Sequence, residues 1–186
     1  MQGRFLEGLT GAVVTIRQKR GDQLFATKWD ESCAVFSPCM VYRYALSRTW
    51  DGSMGKLVVI GLNPSTADQD ANDPTIERIE RRSRACGYGG LVMLNLFALR
   101  ATDPCVMFDA VDPVGKVNDE VIERAVVDRD VLCAWGVHGS HRGRDAQVMK
   151  LIRGTCRTLC LGTTKGGAPR HPLYVAYSVA LREFVL

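Results

Sequence analysis

Four apolar runs stand at wide intervals along the chain: Leu57-Val58-Val59-Ile60, Leu91-Val92-Met93-Leu94-Asn95-Leu96-Phe97, Val131-Leu132-Cys133-Ala134-Trp135 and Thr158-Leu159-Cys160-Leu161. Each is nearly continuous rather than alternating, which is the pattern of strands buried on both faces of a parallel sheet. Between them the period changes to that of helices. Asp73 is predicted as an N-cap with Pro74 in the first helical position, Ile76, Ile79 and Cys86 as an apolar stripe, and Gly87 as the stop. A second helix is predicted over 118–128, with Asp119 and Glu120 in its first turn and Val121, Ile122, Ala125 and Val126 facing the sheet. Segments 146–153 and 175–184 supply a third and a fourth.

Strands alternating with helices predict an α/β protein, here a three-layer α/β/α arrangement around a mainly parallel, four-stranded central sheet. Residues 12–17 have strand character, but the polar turn-like stretch Gln18-Lys19-Arg20-Gly21-Asp22 follows. Residues 1–30 are therefore read as a peripheral N-terminal arm and 31–186 as a single domain. No internal repeat or low-complexity stretch interrupts it.

Composition narrows the class. The chain has 186 residues, 46% hydrophobic and 24% charged, which suits one globular domain and excludes a disordered or fibrous chain. No apolar run reaches the roughly 18 residues of a membrane span, and the start lacks the pattern of a secretory signal. The expectation is a cytosolic protein with no membrane partner. Seven cysteines, an odd number without scaffold-like spacing, are read as reduced and mostly buried thiols. The net charge of +4 is mild, but Arg78, Arg81, Arg82 and Arg84 cluster, as do Arg142 and Arg144. A polyanionic partner is permitted without being required; the alternative for the first cluster is a solvated helix face.

In open α/β sheets the ligand crevice lies at the carboxyl ends of the strands, so the loops there are the candidate site. Gly61-Leu62-Asn63-Pro64-Ser65-Thr66 follows the first run: Gly61 permits close backbone approach, Pro64 stiffens the exit, and the Asn63 amide can orient water or a ligand atom. A plain Asn-Pro turn is the competing reading. Asn95 is a polar amide inside an apolar strand, which needs hydrogen-bond partners or costs roughly 1–3 kcal/mol; it reads a ligand edge or bonds to nearby backbone. His171-Pro172 follows the loop that carries Lys165, Gly166 and Gly167, and an imidazole there could stabilise developing negative charge. Lys165 suits phosphate contact, although no Walker pattern is present. Asp68, Asp70 and Asp73 could hold a cation or activate water, but Asp73 already has a capping role. His138 and His141 lack a second pair of ligands. No metal and no cofactor is assigned.

Across the chain, Tyr42-Arg43-Tyr44, Gly61-Leu62-Asn63-Pro64-Ser65-Thr66-Ala67-Asp68, Asn72-Asp73-Pro74-Thr75, Gly87-Tyr88-Gly89, Asn95-Leu96-Phe97-Ala98, Ala134-Trp135-Gly136 and His171-Pro172-Leu173-Tyr174 together resemble the bacterial and phage domain-of-unknown-function family 1643, over roughly residues 33–177. A more distant resemblance rests on the order Gly-x-Asn-Pro, a strand Asn, and His-Pro, which is similar to the uracil-DNA glycosylase superfamily. That likeness implies a uracil-DNA glycosylase-like fold. It implies that Asn63 positions water, Asn95 reads a base and His171 stabilises the departing base anion. The chain departs from that pattern in lacking an evident base-stacking aromatic after the first motif, a serine-bearing continuation after His171-Pro172, and a close cysteine pair for an iron–sulfur cluster.

These readings lead to a nucleobase- or nucleotide-directed enzyme, acting on a small molecule or on nucleic acid, with Asn63, His171 and Asp68 as catalytic candidates. Gly61, Leu62, Pro64, Ser65, Asp73, Arg78, Asn95 and Lys165 are the substrate-binding candidates. A non-catalytic module binding a modified base, nucleotide or nucleic acid is the first alternative. The second is a metal-dependent, phosphate-directed or group-transfer enzyme using Asp68, Asp73, Arg78 and Lys165.

Overall fold

A computed structural model describes residues 32–65, 67 and 72–185, together with the backbone of 4–6 and 14–18. The strands are β1 (Arg4–Leu6), β2 (Val14–Gln18), β3 (Cys33–Phe36), β4 (Arg43–Thr49), β5 (Lys56–Gly61), β6 (Gly90–Asn95), β7 (Asp130–Cys133), β8 (Arg157–Cys160) and β9 (Arg182–Glu183). They join one sheet in the order β1-β2-β3-β4-β6-β5-β7-β8-β9, and the seven from β3 onward carry described side chains. The helices are α1 (Pro74–Ala85), α2 (Pro104–Asp109), α3 (Asn118–Val126) and α4 (Arg144–Leu151).

The four predicted apolar runs are β5, β6, β7 and β8, and they form a parallel block at the centre. The sheet as a whole is mixed rather than mainly parallel, because β4 pairs antiparallel with β6 and β9 antiparallel with β8. β3 and β2 extend the β4 side, again antiparallel. Residues alternate between the two faces as the strand period requires. Val58, Ile60, Val131 and Cys133 pack with Val121, Ile122 and Val126 of α3 and Val148 of α4. Leu57, Val59 and Leu132 pack with Ile76 and Ile79 of α1 on the other face. Helices therefore cover both faces of the sheet.

α1 begins where predicted. The Asp73 carboxylate accepts from the N–H groups of Thr75 and Ile76, both at 2.9 Å, and Gly87, at φ +82°, ends the helix. The predicted helices over 118–128 and 146–153 correspond to α3 and α4.

The fourth helix, over 175–184, is not formed. Its backbone carbonyls are taken by another element: Arg82 donates to Val175 and Ala176 at 2.7 and 2.8 Å, and Arg78 to Val175 at 2.9 Å. Further on, the Phe184 N–H bonds to the Thr158 carbonyl, so the segment ends as β9 rather than as a helix. The arginine cluster is thus not a uniformly solvated face. Arg82 is buried, while Arg81 and Arg84 are exposed. Tyr177 lies under the guanidinium groups of Arg78, Arg81 and Arg82.

All seven cysteines are free, but only Cys133 and Cys160 are buried; Cys39, Cys86 and Cys105 are exposed. The expectation of mostly buried thiols is corrected, because Cys86 sits past the last apolar position of α1 and Cys39 and Cys105 lie in turns and helix starts outside the sheet. No described helix is long and apolar enough to cross a membrane.

The Arg82 contacts generate a stability prediction. Replacing Arg82 by Met strips charged donors from buried carbonyls, and urea unfolding should show a loss of about 2–4 kcal/mol. Arg81→Met removes only an exposed cation–π contact and should change stability by less than about 1 kcal/mol.

Candidate functional site

The carboxyl ends of β5, β6 and β7 open into a cavity of about 460 Å³. Its floor is set by the register of two parallel strands, which places Gly61 opposite Asn95. A Cβ on residue 61 would fall 2.5 Å from the Met93 Cε and 3.0 Å from the Asn95 Oδ1, so a side chain there would press on the end of Met93 and crowd the Asn95 amide. Beyond the strands the two loops stay joined: the Leu96 and Phe97 N–H groups donate to the carbonyls of Gly61 and Leu62, both at 2.9 Å. From the other side, the buried Asn118 amide donates to the carbonyls of Asn95 and Leu96 at 3.0 and 3.1 Å, and Arg144 Nε donates to Leu96 at 2.9 Å. The backbone under Asn95 is held from both flanks.

The Asn95 side chain is the contrast. It is only 1% exposed, yet among the described residues neither its Nδ2 nor its Oδ1 has a hydrogen-bond partner. Trp135 Nε1 and Thr164 Oγ1, on two other residues of the cavity wall, are also buried without partners. Native interiors pair the great majority of such groups, so an amide with both ends unpaired on a cavity wall suits a polar ligand.

Asn63 stands at the rim. Its Nδ2 donates to the Ala101 carbonyl at 2.8 Å and to Pro64 at 3.2 Å. With the donor end so occupied, Oδ1 is the end available to an incoming donor. Ala101 returns a bond from its N–H to the Pro64 carbonyl at 3.0 Å, which fixes the two rims to each other.

His171 lines the same cavity. The Arg78 Nε donates to the next carbonyl, Pro172, at 3.1 Å, and the Gly136 N–H at the end of β7 bonds to Pro169 at 2.9 Å. The His171 Nδ1 accepts from the Leu173 N–H at 3.3 Å. Burial pushes the imidazole below its ordinary pKa, and the nearby Asp73 carboxylate offsets this only in part. The neutral ring that results carries its proton on Nε2, a donor.

Of the residues singled out from the sequence, Leu62, Asn63, Ser65, Asp73, Asn95, His138 and His171 share this cavity. Gly61 and Pro64 shape it from behind without lining it. Arg78 is directed to the carbonyls of Pro172 and Val175, and Lys165 is exposed on its loop; neither lines the wall. Asp68, with Asp70, lies outside the described residues. Among the described residues no three His, Cys, Asp or Glu side chains are grouped to hold a metal. His138 and His141 instead pack against Phe108, with ring centroids 5.3 and 4.9 Å away. Sequence reasoning did not select Arg43, Trp135, Thr164, Arg170 or Tyr174, all of which line the cavity. A Trp-Gly strand end was a signal for Trp135; Arg43 lies on a strand that gave none, and the other three are placed only by the folding back of 162–175.

The family described as Protein of unknown function (DUF1643) matches residues 43–173. The chain matches no curated protein and no solved structure. Nothing in these comparisons brings out the uracil-DNA glycosylase superfamily.

Two outcomes follow from this geometry. Asn95→Leu keeps the shape while removing two unpaired polar atoms, so the ligand-free protein should be no less stable and should gain up to about 2 kcal/mol in thermal or urea unfolding; a loss of several kcal/mol would mean the amide is bonded. For His171, the folded pKa lies below the unfolded 6.5, so the unfolded chain takes the proton more readily and stability falls as pH drops through 6.5. His171→Gln should flatten that fall between pH 7 and 5 in unfolding titrations, and an unchanged slope would count against a buried neutral imidazole.

Proposed function

This chain belongs to the DUF1643 family, and we propose that its cavity takes a nucleobase and that the protein is an enzyme hydrolysing the base's N-glycosidic bond. One observation carries the reading: a buried amide, Asn95, offers both a donor and an acceptor without partners on the wall of a ligand-sized cavity. The edge of a nucleobase presents an acceptor beside a donor at matching spacing, and an amide pairs with it in bidentate fashion.

The remaining polar groups suit bond cleavage. When the bond between C1′ and the base nitrogen breaks, its electron pair stays on the base, and the Nε2–H of a neutral His171 can donate to the charge that develops. Water supplies the oxygen that bonds to C1′, and its proton ends on the base. Asn63 Oδ1, held outward by the two bonds of its amide nitrogen, orients that water. The order of the three residues along the chain, Asn63, Asn95 and His171, is also the order on which the glycosylase-like reading rests.

A non-catalytic binding role is favoured by one detail. Asp73 is the carboxylate among the described lining residues, and its Oδ1 is bound to the first turn of α1, which weakens it as an acceptor for the water's proton.

Mass spectrometry of nucleotides and oligonucleotides incubated with the protein should detect free base. Asn63→Ala and His171→Ala should each slow release by about 10²–10³-fold. Rates untouched by both changes would sink the proposal, and tight binding without release would leave the binding role.

A further inference from the structure

The mouth of the cavity carries two features that a base alone does not use. Tyr174 lines the cavity yet is 81% exposed. Its backbone is not loose: it belongs to a 3₁₀ turn, Pro172–Tyr174, whose N–H at 174 bonds to His171 and whose Pro172 carbonyl accepts from Arg78. A large aromatic side chain is therefore held out at the rim by a fixed backbone. Its ring lies 5.8 Å from the His171 ring, so it continues the wall that His171 begins.

Arg170 is the second feature. It is exposed, lines the same cavity, and among the described residues its guanidinium makes no ion pair. Its backbone N–H bonds to the Gly162 carbonyl at 2.8 Å, which places the side chain beside the loop that carries the exposed Lys165. The opposite, inner end of the cavity is the unpaired Asn95. A volume of about 460 Å³ falls within the range of about 300–1,000 Å³ found for sites that enclose whole drug-sized ligands. The space thus runs from a buried wall that includes the Asn95 amide and Arg43 to an exposed aromatic and cationic mouth.

Resting on the nucleobase reading above, we infer that the ligand is a nucleoside phosphate, with its base at Asn95, its sugar against Tyr174 and its phosphate at Arg170. The guanidinium suits a phosphate because its planar fork makes two parallel charge-assisted hydrogen bonds. A free nucleotide and a nucleotide within a strand present the same chemistry to this mouth.

Calorimetric titration of the intact chain distinguishes these cases. The probes are adenosine, guanosine, cytidine, uridine and thymidine, their 5′-monophosphates, and a mixed-sequence single-stranded oligonucleotide. The expected result is that at least one monophosphate binds tenfold or more tightly than its own nucleoside. Arg170→Gln should abolish that preference and leave nucleoside affinity unchanged, while Tyr174→Ala weakens nucleoside and nucleotide together. An oligonucleotide that binds more tightly than every monophosphate supports the inference with a strand as the source; the reverse supports it with a free nucleotide. Nucleosides that bind as well as their monophosphates overturn the phosphate assignment alone and leave the nucleobase reading standing. An absence of binding by all the probes overturns both.

Discussion

Two arginines of α1 hold the wall of the cavity in place. Arg82, buried, and Arg78, half-buried, donate to the carbonyls of Pro172, Val175 and Ala176 across a sequence gap of more than ninety residues. A charged donor on a buried carbonyl is worth about 1.5–3 kcal/mol where a neutral one gives about 1 kcal/mol. These bonds join the backbone bonds of Gly136 to Pro169 and of Arg170 to Gly162 in holding the segment of His171, since 171–181 forms neither a long helix nor a central strand. The same helix caps itself with Asp73, whose charge acts on His171. One twelve-residue helix thus sets both the position and the electrostatic surroundings of the imidazole.

The other half of the site depends on strand register. Gly61 and Asn95 lie side by side because β5 and β6 run parallel in that register, and the glycine leaves the space that the amide fills. Asn118 and Arg144 then satisfy the carbonyls that end β6. The carbonyls of Asn95 and Leu96 and the N–H groups of Leu96 and Phe97 are bonded, while the Asn95 side chain has no partner among the described residues. A stable fold tolerates such an unmet group where a ligand or water meets it, and this contrast separates a binding wall from ordinary core.

Much of this was readable from residue patterns, and the failures have common causes. β5 to β8 showed themselves because strands buried on both faces are apolar throughout. Asp73-Pro74 and Gly87 announced α1 through cap chemistry that depends only on near neighbours. β4 gave no such signal: Arg43, Ser47 and Arg48 interrupt it, and its burial comes from β3 and β6, which lie elsewhere in the chain. The segment 175–184 has helical spacing, yet its carbonyls bond to arginines that no local reading could pair with them. The same holds for the site. Asn63, Asn95 and His171 drew attention as polar residues at strand ends, whereas Arg170, Thr164 and Tyr174 acquire their place only from the return of the chain after β8.

Two of the exposed thiols, Cys39 and Cys105, differ in chemical character. Cys39 lies 3.3 Å from the Ser37 hydroxyl, and that hydrogen bond, with one from the backbone at Val41, lowers its pKa. Cys105 is shifted upward, first by its hydrogen bond to the Asp103 carboxylate and then by that group's charge. Thiolate rather than thiol is the nucleophile, so a maleimide dye supplied below stoichiometry would react at Cys39 ahead of Cys105. The turn between β3 and β4 thus offers a native thiol within reach of a fluorescent dye, without an engineered cysteine.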